Sequence, residues 1–401
     1  MFVHSYLDTA GHLLATYDGS LPFAAFLKSF FAGQKKFGSR DRKWIAHLCY
    51  CWFRAGKALG TPPGPRSLTE ALFLCSQEPN ALLGRLDEVL NSASTEALGV
   101  KLARFGLIES ECCARVFPFT GKLSPEIETV PFVTSHLEQP MTFLRLRPRK
   151  EAVVRQKLEA AALPFTDCGP DCLSLPNGTR LEDVVLINRE AVVQDLSSQR
   201  TLTSLLNVWE PGRPASAWDC CAASGGKSLL LIDRLEQVDL VVSDIRESIL
   251  HNLKQRFREA GVTRYNTRVL DVAGGRRPRG YFDIILCDAP CTGSGTWGRT
   301  PEQLYFFTED RIAHYVQLQR RIAREASRAL KRGGYFLYIT CSVFQEENES
   351  VVAYLQEGTE LKLVSQQYHS GYTQKADTLF SALFTLQPDH PGGTQQPLPL
   401  E

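Results

Sequence analysis

From Trp209 to Leu386, short apolar runs alternate with longer amphipathic stretches, and this alternation constrains the fold more than any other feature of the chain. Ala217–Cys220, Leu240–Asp244, Arg268–Leu270, Phe282–Cys287, Tyr335–Thr340 and Leu379–Leu386 read as strands, whereas Glu247–Ala260 and Arg311–Leu330 repeat apolar residues at helical spacing. Helices inserted between strands predict a mostly parallel sheet covered on both faces, an α/β fold of Rossmann-like type. Such a sheet offers its ligand crevice at the carboxyl ends of its strands.

At 401 residues there is room for more than this one domain. Residues 1–125 read as all-helical, with apolar residues at helical spacing in Leu21–Phe30 and again in Trp44–Trp52. Ser39 is placed to cap the second of these helices, and Pro62, Pro63 and Pro65 break the chain after it. Residues 126–205 read as a small α+β module. Met141–Leu146 alternates as a strand, Lys150–Ala161 follows as an amphipathic helix, and Val184–Ile187 is a further β-like run; turns are expected at Gly169-Pro170 and Asn177-Gly178. Residues 206–387 form the Rossmann-like domain, and 388–401, rich in Pro, Gly and Gln, read as a disordered tail.

No apolar run approaches the roughly 18 residues needed to cross a bilayer, so no membrane partner is expected. Met1–Tyr17 lacks a basic region followed by an apolar block, which argues against a signal peptide. The 12 cysteines show no paired CxxC, so no metal site is expected; they read as reduced thiols of a cytoplasmic protein, and a monomer is expected. A net charge of +1 says nothing for nucleic acid, but Lys28–Lys57 holds eight basic residues against the single acid Asp41. A second basic stretch runs Arg145, Arg147, Arg149, Lys150, Arg155, Lys157. Both are candidate phosphate contacts, against the plainer reading of solvated faces.

Cys221-Ala222-Ala223-Ser224-Gly225-Gly226-Lys227 falls between the first strand of the α/β domain and its first helix. Small residues there let the backbone approach a ligand, and the helix N–H groups suit a carboxylate. Asp244, ending the next strand, is placed to accept two ribose hydroxyls, and Asp271 after the third strand to accept an adenine amine. Neither GxGxxG nor GxxxxGK[ST] stands at this turn, so a cofactor with an adenosine but no pyrophosphate fits better, and S-adenosylmethionine is the common one.

The fourth strand runs into Asp288-Ala289-Pro290-Cys291-Thr292-Gly293-Ser294-Gly295, and the fifth into Thr340-Cys341-Ser342, followed by Glu346-Glu347-Asn348-Glu349. A cysteine at a strand end is ordinarily structural. Two of them facing one crevice beside Asp288 suit covalent catalysis. Carbon 5 of cytosine is too electron-poor to take a methyl group until a thiolate adds to carbon 6. Asp288 is placed to hold the ring nitrogen as it gains a proton. Residue types and spacing do not rank the two thiols.

These segments resemble the Sun/Fmu family of RNA cytosine-5 methyltransferases. The family reads CAAPGGK, DAPCSGxG and TCS…EEN where this chain reads CAASGGK (Cys221–Lys227), DAPCTGSG (Asp288–Gly295) and TCSVFQEEN (Thr340–Asn348). Val193–Gln199 resembles the family's VQDxxSQ entry to the catalytic domain. Gly38–Trp44 resembles the G-S-x-D-R segment of the NusB-like helical domain in bacterial ribosomal RNA members, and the middle module is similar to the family's ferredoxin-like subdomain. The resemblance implies that Cys341 is the nucleophile, that Cys291 helps release product, and that the 221–227 turn, Asp244, Asp271 and Asp288 line the S-adenosylmethionine site. It also implies an RNA substrate, ribosomal RNA by the NusB-like region. Transfer RNA, or an inactive ribosome-assembly factor, are the alternatives. Ser224 replaces the family's proline, and Arg147-Pro148 stands where relatives often read Val-Asn.

Overall fold

The structure, a computed structural model, describes residues 3–388 apart from Lys35, so the expected tail beyond Pro388 lies outside the described residues. The chain divides into two compact units. One comprises Met1–Met141 with Gly293–Arg311 and Ser370–Asp377; the other comprises Thr142–Thr292, Ile312–His369 and the chain from Thr378.

The first unit is helical, as its apolar spacing predicts, with helices at His4–Thr16, Phe23–Ala32, Ser39–Leu59 and Pro65–Cys75 before several shorter ones. The long Ser39–Leu59 helix buries Ile45, Leu48, Cys49, Trp52 and Phe53 on one side, a stripe at three- and four-residue spacing. Its N-terminus corrects one expectation. Ser39 is already helical; Gly38 is the cap position, and the Asp41 carboxylate reaches back to accept the Gly38 N–H at 2.8 Å. The helix ends at Gly60 in a left-handed conformation, and Pro65 opens the next helix at its first turn.

The second unit contains two sheets. The smaller has the order β2-β3-β1-β4, formed by β1 (Thr142–Leu146), β2 (Thr166–Gly169), β3 (Cys172–Leu175) and β4 (Ala191–Val193), with the Glu151–Ala160 helix between β1 and β2. β1 pairs antiparallel with both β3 and β4. Val184–Ile187 is not a strand: it is a turn with a single bridge from Ile187 to Ala191. Val184, Val185 and Ile187 pack instead into the cluster that holds Leu144, Leu158 and Leu173, while Leu186 is exposed.

The larger sheet has the order β10-β11-β9-β8-β5-β6-β7. It comprises β5 (Ala215–Asp219), β6 (Val238–Asp244), β7 (Asn266–Val269), β8 (Phe282–Asp288), β9 (Leu330–Thr340), β10 (Leu361–Ser370) and β11 (Thr378–Leu386). β5 to β9 run parallel and β11 antiparallel to β9. Ile284, Ile285, Leu286 and Cys287 on β8 are wholly buried, because a central parallel strand is covered on both faces. β10 has no counterpart among the expected strands. It is an edge strand, and its Ser365-Gln366-Gln367 stretch lacks the apolar run that marks the others. The outward run of the order from β5 to β7 on one side and to β9 on the other brings the carboxyl ends of β5, β6, β8 and β9 together. Among the described residues, no helix is long and apolar enough to cross a membrane.

Candidate active site

β5 ends at Asp219 and the chain turns through Cys220–Gly225 into the helix Gly226–Arg234. The turn is tied to both neighbouring strands: the Cys220 N–H donates to Leu286 O at 3.0 Å and the Ala222 N–H to Ser243 O at 2.9 Å. Gly225 has φ +81°, and a Cβ there would lie 2.8 Å from the Phe257 ring and 2.9 Å from Leu253, so glycine alone fits. Ala223 is also left-handed, at φ +45°, a conformation that costs about 1–3 kcal/mol for a residue with a side chain. What holds it is Asp244, whose Oδ2 accepts the Ala223 N–H at 3.1 Å. Ser224, in place of the family's proline, accepts a hydrogen bond from Arg256 at 3.2 Å.

Asp244 is 6% exposed and its carboxylate is fully engaged. Besides the Ala223 N–H, it accepts the Arg246 backbone N–H at 2.9 Å and the Arg246 guanidinium at 3.0 and 3.2 Å. The sequence offered no sign that Arg246 occupies the atoms expected to meet a ribose. Asp271 stands apart from the other expected residues. The Leu270 N–H before it bonds Asp244 O at 3.2 Å, but the Asp271 carboxylate accepts the Gly274 N–H at 3.0 Å and closes its own turn.

Lys227 and Asp288 meet directly, Nζ to Oδ2 at 2.7 Å. Burial works against the Lys227 charge, but Asp288, Cys341 and Asp219 favour it and hold its pKa above the ordinary lysine value. Asp219, wholly buried beneath the turn, is pushed up to about 7 by desolvation, against the Ser228 hydroxyl that bonds its Oδ2 at 2.5 Å. Its Oδ1 is buried with no hydrogen-bond partner among the described residues. The Cys220 thiol is pushed well up, first by burial and then by its contacts with Cys221 and Cys287. That keeps it a thiol and removes it from the nucleophile candidates.

Cys291 and Cys341, which follow β8 and β9, come together with 3.2 Å between their sulfurs. Both are partly exposed and neither forms a disulfide. The structure thus brings Cys221–Lys227, Asp244, Asp288, Cys291 and Cys341 to the carboxyl ends of β5, β6, β8 and β9. It also supplies Glu347, buried behind the two thiols, which the sequence showed only as part of a Glu-Glu-Asn segment.

The basic segments fare differently. Lys28, Lys36, Arg40, Arg42 and Lys43 are exposed, and Arg40 lies over the Trp44 ring at 4.5 Å. Arg54 is buried, donating to the carbonyls of His136 and Glu138, and so leaves the patch. In the Arg145–Lys157 stretch Arg145 is buried, Arg147, Arg155 and Lys157 are partly exposed, and Arg149 and Lys150 are exposed. Arg145 and Arg147 both pair with Asp233, Arg155 with Asp167 and Lys157 with Glu190. Four of the six basic residues thus have a carboxylate partner within the chain.

Residues 207–392 match the family model described as 16S rRNA methyltransferase RsmB/F. Among curated proteins, the chain is 30% identical over 230 residues to a Bacillus subtilis protein named "Probable ribosomal RNA small subunit methyltransferase B", covering 55% of this chain and 51% of the relative. It is 33% identical over 210 residues to ribosomal RNA small subunit methyltransferase B of Yersinia enterocolitica, covering 51% and 47%. The chain thus spans about half the length of the curated relatives it matches. Among solved structures, PH0851 superposes with a TM-score of 0.69 at 19% identity, covering 96% of this chain and 98% of that one, a likeness of fold. The motifs at Cys221, Asp288 and Thr340 all fall inside the matched segment, so residues 207–392 are similar to the methyltransferase domain that this family model describes.

Proposed function

We propose that the protein methylates carbon 5 of a cytosine in RNA, with S-adenosylmethionine as donor and small-subunit ribosomal RNA as substrate. The observation that carries this reading is the 3.2 Å approach of Cys291 and Cys341 beside the Lys227–Asp288 pair. Methylation of an exocyclic amine needs no nucleophile, so it gives no reason for two thiols at the site.

The turn and Asp244 fit the cofactor. The Asp244 carboxylate reaches hydroxyl partners once the exposed Arg246 side chain swings away, and the unpartnered Asp219 Oδ1 suits a donor such as an ammonium group. When bound, the cofactor supplies an electrophilic methyl group. Cys341 as thiolate forms an Sγ–C6 bond, and the electron pair of the C5–C6 double bond shifts toward carbon 5 and the N3 side of the ring. Asp288, with Lys227 beside it, holds the N3 edge as that nitrogen gains a proton. Once carbon 5 carries the methyl group, Cys291 as thiolate takes the carbon 5 proton, the C5–C6 double bond re-forms, the N3 proton returns to Asp288 or solvent, and the Sγ–C6 bond breaks with its electron pair going back to Cys341 as thiolate. The Cys291 sulfur lies 3.2 Å from that of Cys341. The ribosomal substrate is supported by the names of the curated relatives. The NSun6 structure from Pyrococcus horikoshii, solved with SFG, shares the fold at a TM-score of 0.59 and 16% identity, over 68% of this chain and 97% of that one.

The test is transfer of a labelled methyl group from S-adenosylmethionine to purified small-subunit ribosomal RNA, followed by digestion to nucleosides. Label in 5-methylcytidine is expected. Label in a base methylated on nitrogen overturns the chemistry, and label confined to transfer RNA overturns the substrate.

A further inference from the structure

The Glu-Glu-Asn segment takes no part in the steps above, yet the buried side chain of Glu347 bonds the residue that follows each thiol. Its Oε1 accepts the Thr292 N–H at 2.9 Å, and its Oε2 accepts the Thr292 hydroxyl at 2.5 Å as well as the Ser342 hydroxyl. Thr292 follows Cys291, and Ser342 follows Cys341. On the far side of Cys291, Gln319 Nε2 donates both to Pro290 O at 3.1 Å and to Glu347 Oε1 at 2.8 Å. On the far side of Cys341, the Thr340 hydroxyl donates to Asn348 Oδ1 at 2.5 Å, and Asn348 Nδ2 donates to Ser342 O at 2.8 Å.

Each cysteine is therefore fixed on both flanks, and one carboxylate joins the two flanks to each other. A carboxylate suits this place because all of its partners act as donors, and an ionised carboxylate accepts at about four positions and donates at none. Consecutive Cα atoms are only about 3.8 Å apart, so anchoring the neighbours of a residue sets where its Cβ points. We propose that Glu347 is the positioning residue that holds the Cys291 and Cys341 loops together, so that the two sulfurs meet at reacting distance. Its part in turnover rests on the two-cysteine reaction proposed above, but its part in geometry does not.

The closing experiment uses the full chain and reads the geometry first. Diamide takes two protons and two electrons from a thiol pair as the disulfide forms, and mass spectrometry of the joined peptides follows closure of Cys291 with Cys341. At a temperature well below the melting transition, Glu347→Ala is expected to slow closure at least tenfold. Glu347→Gln is expected to recover most of that loss, because the amide oxygen still accepts the Thr292 N–H while the hydroxyls turn to accept from its NH2. Thr292→Val and Ser342→Ala each remove one arm and are expected to fall between, and they carry the test if Glu347→Ala does not fold. Closure rates within twofold of the parent in the variants that fold overturn the proposal. The second reading is the protein–RNA adduct. With cofactor and RNA present, Glu347→Ala is expected to accumulate adduct as Cys291→Ala does. If closure slows while no variant traps RNA, Cys291→Ala included, the two-cysteine reaction fails and the positioning role stands.

Discussion

The sulfurs of Cys291 and Cys341, 50 residues apart in sequence, lie 3.2 Å from one another at the ends of adjacent parallel strands. Parallel pairing of β8 with β9 runs through Asp288 opposite Ile339, so the loops that follow leave the sheet side by side. The proposed reaction gives the two thiols different tasks, and removing each has a different consequence. Cys341→Ala is expected to lose methyl transfer entirely, since the proposed reaction gives the addition at carbon 6 to the Cys341 thiolate. Cys291→Ala is expected to form the adduct and release it slowly, leaving a slow-migrating protein–RNA band on a denaturing gel that depends on S-adenosylmethionine. A band with Cys341→Ala in place of Cys291→Ala reverses the roles.

Asp244 and Arg246 give a paired prediction about cofactor affinity. Asp244→Ala is expected to weaken S-adenosylmethionine binding by about 1.5–3 kcal/mol, the scale of lost hydrogen bonds to a charged group. Arg246 is 61% exposed and competes for the same oxygens, so releasing it costs under about 1 kcal/mol. Arg246→Ala is accordingly expected to tighten binding severalfold. Calorimetry on both variants checks this, and weaker binding by Arg246→Ala shows instead that the guanidinium contacts the cofactor.

Asp219 predicts a pH dependence of stability. Its folded pKa is about 7 against an ordinary value of 3.8, so between these the folded chain keeps a proton that the unfolded chain has released. The resulting stabilisation is complete below about pH 4 and is lost as pH rises through about 7, at up to roughly 1.4 kcal/mol per pH unit. Denaturant titrations from about pH 5 to about pH 8 are expected to show the parent losing stability relative to Asp219→Asn, which keeps the Ser228 hydrogen bond without the charge. Parallel curves exclude Asp219 as the titrating group.

Arg40 and Lys43 are exposed on the helical unit and test the proposed RNA contacts. If they hold phosphates, Arg40→Glu with Lys43→Glu is expected to lower the slope of log affinity against log salt by roughly 0.7–0.9 for each phosphate released, leaving cofactor binding intact. Arg155→Glu makes the contrast: its guanidinium already bonds Asp167, and its slope is expected to match the parent. Equal slopes for all three proteins return the Lys28–Lys43 segment to ordinary solvated surface.

What could be read in the chain followed from local pattern. β5, β6, β8 and β9 are strands of a parallel sheet, and burial on both faces writes them as apolar runs that stand out beside the helices. β10, polar along its edge, leaves no such run. That Asp288 and the two thiols come together was legible because each lies at or just past a strand end, and Lys227 opens the helix that follows β5. Contacts made at long range were not. Nothing near Arg145 in sequence announces Asp233, 88 residues away, and nothing near Glu347 announces Thr292, 55 residues before it. Asp271 also accepts the Gly274 N–H three residues on, a local turn contact that its place at a strand end did not announce.

The Arg145–Asp233–Arg147 triad has a consequence for anyone who dissects the chain. The family match begins at residue 207, and a fragment cut there carries Asp233 on the first helix after the 221–227 turn while leaving both guanidinium groups behind. Asp233 is 4% exposed and Arg145 is 1% exposed in the whole chain, so the cut removes both partners of the carboxylate together with its cover and opens this face of the helix to water. Loss of activity on trimming to the matched segment would therefore not report on the catalytic residues alone. The smallest piece worth expressing begins ahead of Thr142, at a border drawn by charge instead of by sequence likeness.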